Sequence, residues 1–211
     1  MKRTILVGVL SICLNAFALD GLSSNDTAML PIATSLNSVD VQDPYHNLPD
    51  KDIFYPCVEI LAHSLNLKTE DLFALINYET GGRMNPKVAS KNSSAKGLLQ
   101  FTNITAKNLL DKNGNRLSSS KHLTEAYPTI KDQLEIPTSK NKYGGPIYQY
   151  LKKYAPFKST EDLFISVIYP SSRRSQRLPR RISRQNAGIR NARDFVNRAR
   201  RNVESSGIIY E

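Results

Sequence analysis

The chain has no tryptophan, three histidines and only two cysteines in 211 residues. No Cys and His stand at metal-ligand spacing, so a zinc-finger type of centre is excluded and neither a metal nor a cofactor is expected. Cys13 falls within the expected targeting segment, so the mature chain would keep one thiol, Cys57, and no internal disulfide. Cys57 sits in a stretch that reads as helical, which suits a small buried hydrophobe. A catalytic thiol would need a base such as His63 or His122, and nothing in the sequence pairs either with it. No internal repeat is visible. Acids are also in short supply: 19 Asp and Glu face 29 Lys and Arg, for a net charge of +10. That balance excludes few partners by itself but favours polyanions, whether wall polymer, lipopolysaccharide, anionic membrane or nucleic acid.

What is present begins with an export signal. Lys2 and Arg3 precede a mostly apolar run from Ile5 to Phe17, too short to span a bilayer as a mature helix. Ala16-Phe17-Ala18 has the form of a cleavage site, which predicts a signal peptide over residues 1 to 18 and an exported protein, periplasmic or secreted. An uncleaved anchor is the alternative. Removal of Lys2 and Arg3 takes the net charge from +10 to +8. Residues 19 to 50 are rich in Ser, Asn, Asp, Thr and Pro without a period, and read as a flexible N-terminal arm.

Residues 51 to 205 carry helical periodicity and predict one mostly α domain. Asp52 to Leu67 is the first helix, with Pro56 in its first turn and Val58, Leu61, Ala62 and Leu65 on one face. Thr69 to Thr80 is the second, with Thr69 as N-cap and Glu70 and Asp71 in the first turn. Gly97 to Leu110 reads as a third helix whose Leu98, Phe101, Thr105 and Leu109 face inward. A turn at Asn113-Gly114 follows, then short helices over Thr129 to Ile136 and Ile147 to Tyr154. Thr160 to Tyr169, capped by Thr160 and stopped by Pro170, is apolar. Ser171 to Arg184 holds six arginines among serines and reads as a solvated basic loop. The last helix, Gly188 to Val203, has Ile189, Ala192, Val196, Ala199 and Val203 as its apolar stripe.

The chemistry centres on Leu75 to Thr105. An apolar helix reaches Glu79 in its last turn and breaks at Gly81-Gly82. The helix dipole there disfavours a carboxylate, and apolar neighbours would desolvate it; both raise its pKa, as a general acid near neutral pH requires. Taken alone, the same position also fits a solvated helix-end glutamate. Gln100 offers an amide donor and acceptor suited to the N-acetyl and hydroxyl groups of sugars, or is a surface glutamine.

Glu79-Thr80-Gly81-Gly82, Asn85-Pro86, Ser94-Ala95-Lys96-Gly97-Leu98-Leu99-Gln100-Phe101 and Thr105-Ala106 together resemble the catalytic core of the lytic transglycosylase branch of the lysozyme superfamily. That core reads Glu-Ser-Gly, a loop with Asn-Pro, Gly-Ala-x-Gly-Leu-Met-Gln and a Thr-Ala pair. Here Thr80 replaces Ser, Ser94 replaces Gly and Leu99 replaces Met. Asp162 to Pro170 followed by Asn186-Ala187-Gly188-Ile189 looks like the later part of phage and bacterial members, where a tyrosine lines the cleft.

The resemblance implies a lysozyme-like helical domain with a substrate cleft. It implies Glu79 as the catalytic acid, with Thr80, Ser94, Gln100 and Tyr169 as substrate contacts. The implied substrate is peptidoglycan, cleaved at the MurNAc-GlcNAc β-1,4 bond by a single acid that afterwards serves as base. Deprotonating the muramoyl 6-hydroxyl gives a 1,6-anhydro sugar; deprotonating water gives a hydrolytic muramidase. Two other readings stand beside these: a wall-binding module without catalysis, and a basic protein that binds membrane or nucleic acid. Nucleic acid is the least expected partner, because no reading motif accompanies the charge and an exported protein seldom meets it. The basic segment 171–184 is an expected contact for anionic wall or membrane.

Overall fold

The computed structural model describes residues 50–185 and 189–205. The expected signal peptide, the arm up to residue 49 and the Asn186-Ala187-Gly188 element lie outside the described residues. The described chain is mostly helical, and its β structure amounts to isolated bridges.

Helix α1, Lys51–Ser64, and helix α2, Thr69–Thr80, pack against each other at the start of the domain. Phe54, Val58, Leu61 and Ala62 of α1 are fully buried, as are Leu72, Phe73, Leu75 and Ile76 of α2. Phe54 and Phe73 meet edge to face at 5.8 Å between ring centres. Pro56 lies inside α1 rather than in its first turn. Thr69 is the first helical residue of α2, and Lys68 takes the cap position without a side-chain bond. Gly81 ends α2 in a left-handed conformation, φ 58°, which the following Gly82 continues.

Three short helices follow: α3, Asn103–Ala106; α4, Ser120–Ala126; and α5, Ile130–Leu134. Helix α6 spans Pro146–Lys152, α7 spans Thr160–Ile168, α8 spans Arg180–Gln185 and α9 spans Ala192–Ser205. Ser119, Thr129 and Ser159 cap α4, α5 and α7 through their hydroxyls, so the α7 cap falls one residue before the expected Thr160. Helix α4 was not legible as a periodic segment. Its seven residues bury only Ser120 and Leu123, too few to set up a stripe.

Helix α9 closes the domain by lying across α2 and α7. Phe195 enters between them, 4.2 Å from the Tyr78 ring and 5.6 Å from Phe164. An ionic tie locks the three helices. Asp71, near the start of α2, accepts from Thr160 Oγ1 of α7 at 2.6 Å and from Arg200 Nη2 of α9 at 2.8 Å.

Two expectations are corrected. Gly97 to Leu110 is not one helix. Gly97 sits at φ 82° and Gln100 at φ 46°, and Lys96 pairs with Phe101, so the chain turns tightly there and only Asn103–Ala106 is α-helical. The Leu98 amide donates sideways to Gln133 Oε1 at 2.9 Å rather than to a preceding carbonyl. Residues 171 to 184 are not an open loop either. A 3₁₀ turn at Pro170–Ser172, a bridge from Arg177 to Asn191 and helix α8 order them, with Ser172 and Leu178 buried. Arg173 anchors the segment by a two-pronged bond to Asp162 of α7, at 2.7 and 2.5 Å.

Candidate functional site

Glu79 lies one residue before the end of α2, where the last carbonyls of the helix point. The residue keeps some surface, but its carboxyl is embedded in dense protein, and that embedding governs its ionisation. Desolvation pushes its pKa from 4.5 up to about 8. Among the described residues no cation and no hydrogen-bond donor offsets that penalty. Such a group holds its proton at neutral pH and is a ready donor.

Tyr150, which feels the charge of Glu79, lines a groove of about 470 Å³. One wall comes from the turn and short helix after Gly97: Leu99, Gln100, Phe101, Thr102, Ile104 and Thr105. The other comes from α6 and the end of α7: Gln149, Tyr150, Lys153, Tyr154, Val167 and Ile168, with Pro170 at one end. Ile104 stands 79% exposed on the rim, an apolar side chain in a position to touch whatever enters. Glu79 is not itself part of the lining. Its link to the groove is Tyr150, whose phenol is raised chiefly by burial, then by Tyr154, with the charge of Glu79 adding to both. The Tyr150 hydroxyl donates to the Ser166 carbonyl at 2.9 Å, and its ring meets Phe101 at 5.5 Å and Tyr154 at 5.1 Å. These contacts fix the phenol in the groove wall.

The sequence-predicted contacts are placed unequally. Gln100 lines the groove, and its Nε2 donates to the carbonyls of Gly97 and Val88 at 2.8 and 3.2 Å. Its amide nitrogen is thus fixed inward. Thr80 is fully buried. Its hydroxyl donates to the Ile76 carbonyl at 2.8 Å and accepts from the Met84 amide at 3.1 Å. It ties the loop after Gly81 to α2, a structural task in place of the expected substrate contact. Ser94 is exposed outside the groove lining. Its Oγ accepts from the Asn103 amide at 3.1 Å, and its carbonyl accepts from Ser120. Tyr169 caps the end of α7, half-buried against the core; its neighbour Pro170 reaches the groove and Tyr169 does not.

Two buried or half-buried glutamines do work that sequence reasoning missed. Gln133 of α5 is fully buried and acts as a clamp: Oε1 accepts from Leu98, while Nε2 donates to the carbonyls of Pro86 and Tyr127 at 2.7 and 3.0 Å. It holds both ends of the loop that frames Gln100. The available signal was a glutamine on the Ile130–Leu134 face, where an apolar residue belongs. Gln149 does the same across the groove, accepting from the Leu110 amide at 2.9 Å and donating to the carbonyls of Leu110 and Gly144. Asn77, two residues before Glu79, is buried with neither amide atom hydrogen-bonded among the described residues. That arrangement costs about 1–3 kcal/mol for an unmet polar group.

Comparison with family models, curated proteins and solved structures returns no match to this chain. The functional reading therefore rests on the residues, on the motif resemblance they carry and on the geometry. That geometry comprises one carboxyl that burial keeps protonated, without a counter-charge among the described residues, and an aromatic groove whose Tyr150 feels its charge. Two glutamines, Gln100 and Gln149, and one lysine, Lys153, line the groove. Among the described residues no three His, Cys, Asp or Glu side chains converge as a metal site would require.

Proposed function

We propose that the protein is an exported peptidoglycan-cleaving enzyme with a lysozyme-like domain, acting as a lytic transglycosylase. The observation that carries this reading is the state of Glu79: a desolvated carboxyl, raised to about 8, with no cation among the described residues to neutralise it, whose charge is felt by Tyr150 in the wall of an aromatic groove. At pH 7 a carboxyl of that pKa is about nine-tenths protonated, whereas one at 4.5 is protonated in well under about one part in a hundred.

In this reading a glycan lies along the groove, with sugar faces against Tyr150, Tyr154 and the rim residue Ile104 and with hydroxyl or N-acetyl groups facing Gln100 and Lys153. Glu79 protonates the bridging glycosidic oxygen as the bond to the anomeric carbon breaks. The same residue, now a carboxylate without a counter-ion, takes a proton from the muramoyl 6-hydroxyl as that oxygen closes on the anomeric carbon. The product is a 1,6-anhydro sugar, and Glu79 ends as it began. A single-acid scheme is favoured because the other inward-facing acids are committed elsewhere. Asp162 is held low by Arg173, and Asp71 is tied to Arg200 and Thr160. The scheme needs the Glu79 carboxyl to reach the groove beside Tyr150 once sugar fills it.

The test is digestion of purified cell wall by the mature protein and by Glu79→Gln, with products read by mass spectrometry. The expected products carry anhydro ends, lighter than reducing ends by one water, and the variant releases about a thousandfold less. Reducing ends would make the protein a hydrolytic muramidase. Full activity of the variant would remove Glu79 from the chemistry.

A further inference from the structure

Lysine and arginine are segregated along this chain. Between residues 50 and 170 the cations are fourteen lysines and two arginines; between 171 and 205 they are eleven arginines and no lysine, against only Asp194 and Glu204. Lysine suffices for solubility, whereas arginine presents a planar fork that fits an oxyanion with two parallel bonds. The arginine-rich stretch is also built rather than loose. Residues 176–178 and 190–192 pair across it, with the Leu178 amide donating to the Arg190 carbonyl and the Ala192 amide to the Gln176 carbonyl, both at 3.0 Å.

These residues frame a second, larger groove of about 1110 Å³. Its cations are Lys158, Arg173, Arg174, Arg177 and Arg193, and its acids are Glu161 and Asp162. Arg173 neutralises Asp162 directly, and Arg193 lies 3.8 Å from Glu161. Lys158 is exposed but its charge acts on Asp162, whereas Arg174 and Arg177 are left exposed and without an ion pair among the described residues. Pro170 belongs to the wall of both grooves, so the two share a boundary residue just after α7.

We infer that the second groove continues the path of the polymer and receives free carboxylates on peptide branches of the glycan strand held in the first. The inference rests on the cleavage reading above for the identity of the strand. A bilayer is the poorer fit, because the site is concave and neither exposed large apolar side chain, Ile53 nor Ile104, lines it to act as an anchor.

The experiment compares the mature protein with Arg174→Gln/Arg177→Gln, which leaves the Arg173–Asp162 anchor intact, and with Arg180→Gln, outside the groove. Each is pelleted with insoluble cell wall, with the same wall stripped of peptides by an amidase, and with wall freed of phosphate polymers by hydrofluoric acid. Product release is followed in parallel. The double variant is expected to bind peptide-bearing wall about three- to tenfold more weakly at low salt. On stripped strands it should match wild type in both binding and release, and Arg180→Gln should match wild type throughout. The inference is overturned if the double variant loses nothing, loses equally on stripped strands, or is matched in its loss by Arg180→Gln. It is also overturned if the loss disappears with the phosphate polymers or is reproduced on anionic phospholipid vesicles. If wild type releases no product from any wall, the cleavage reading fails, and the pelleting difference still decides the groove.

Discussion

Asp71 and Glu79 occupy opposite ends of the same helix, α2, and both are held against the protein. Asp71 stands in the first turn, where the helix dipole favours a carboxylate, and it receives Thr160 and Arg200 from two other helices. Glu79 stands in the last turn, where the dipole opposes it, and receives nothing among the described residues. The first acid joins α2, α7 and α9. The second carries a proton that burial keeps in place to about pH 8. A buried carboxyl becomes a strut or a proton donor according to its partners and its end of the helix, and burial alone does not decide which.

That contrast can be broken at the reactive end first. Glu79→Gln should lower muropeptide release by about a thousandfold, within the usual range for a general acid, while circular dichroism stays unchanged. Stability should respond in the opposite sense. The folded protein holds the Glu79 proton up to about pH 8, whereas the unfolded chain releases it near 4.5. Wild-type stability should therefore fall as pH rises between those values. Glu79→Gln should lack that slope. It should exceed wild type by about 3 kcal/mol at pH 8 and by little at pH 5, as measured by urea unfolding.

The strut end should show smaller effects. Asp71→Ala leaves Arg200 and Thr160 without their acceptor and should cost about 2 kcal/mol, with activity kept in the fraction that folds. Asn77→Leu, which removes two unmet amide atoms at similar volume, should change stability by about 1 kcal/mol or less, in the stabilising direction. The exposed pair Lys121–Glu125, 3.8 Å apart, is the control: Glu125→Gln should stay within about 0.5 kcal/mol.

Long apolar periods were the readable part of this chain. Residues 51–64, 69–80 and 192–205 show their buried faces in the sequence, because each has three or more turns to repeat the pattern. The position of Glu79 was readable for the same reason, since Gly81-Gly82 marks where α2 ends. The turn from Gly97 to Phe101 was not. Its shape depends on Gln133, more than thirty residues away, and on a left-handed Gln100 that local propensity would not choose. Tyr150 and Gln149 were hidden likewise. In sequence they belong to a short amphipathic helix, and only tertiary packing sets one beside Glu79 and the other against Leu110. Thr80 shows the reverse error: a residue placed by motif next to the acid faces inward and secures the loop.

The account turns on whether Glu79 keeps its proton in the folded protein. A carbon-13 NMR titration of the glutamate side-chain carboxyls, assigned by comparison with Glu79→Gln, measures this directly. One carboxyl titrating near pH 8 and absent from the variant is the predicted result. A Glu79 carboxyl that titrates near 4.5 would contradict it.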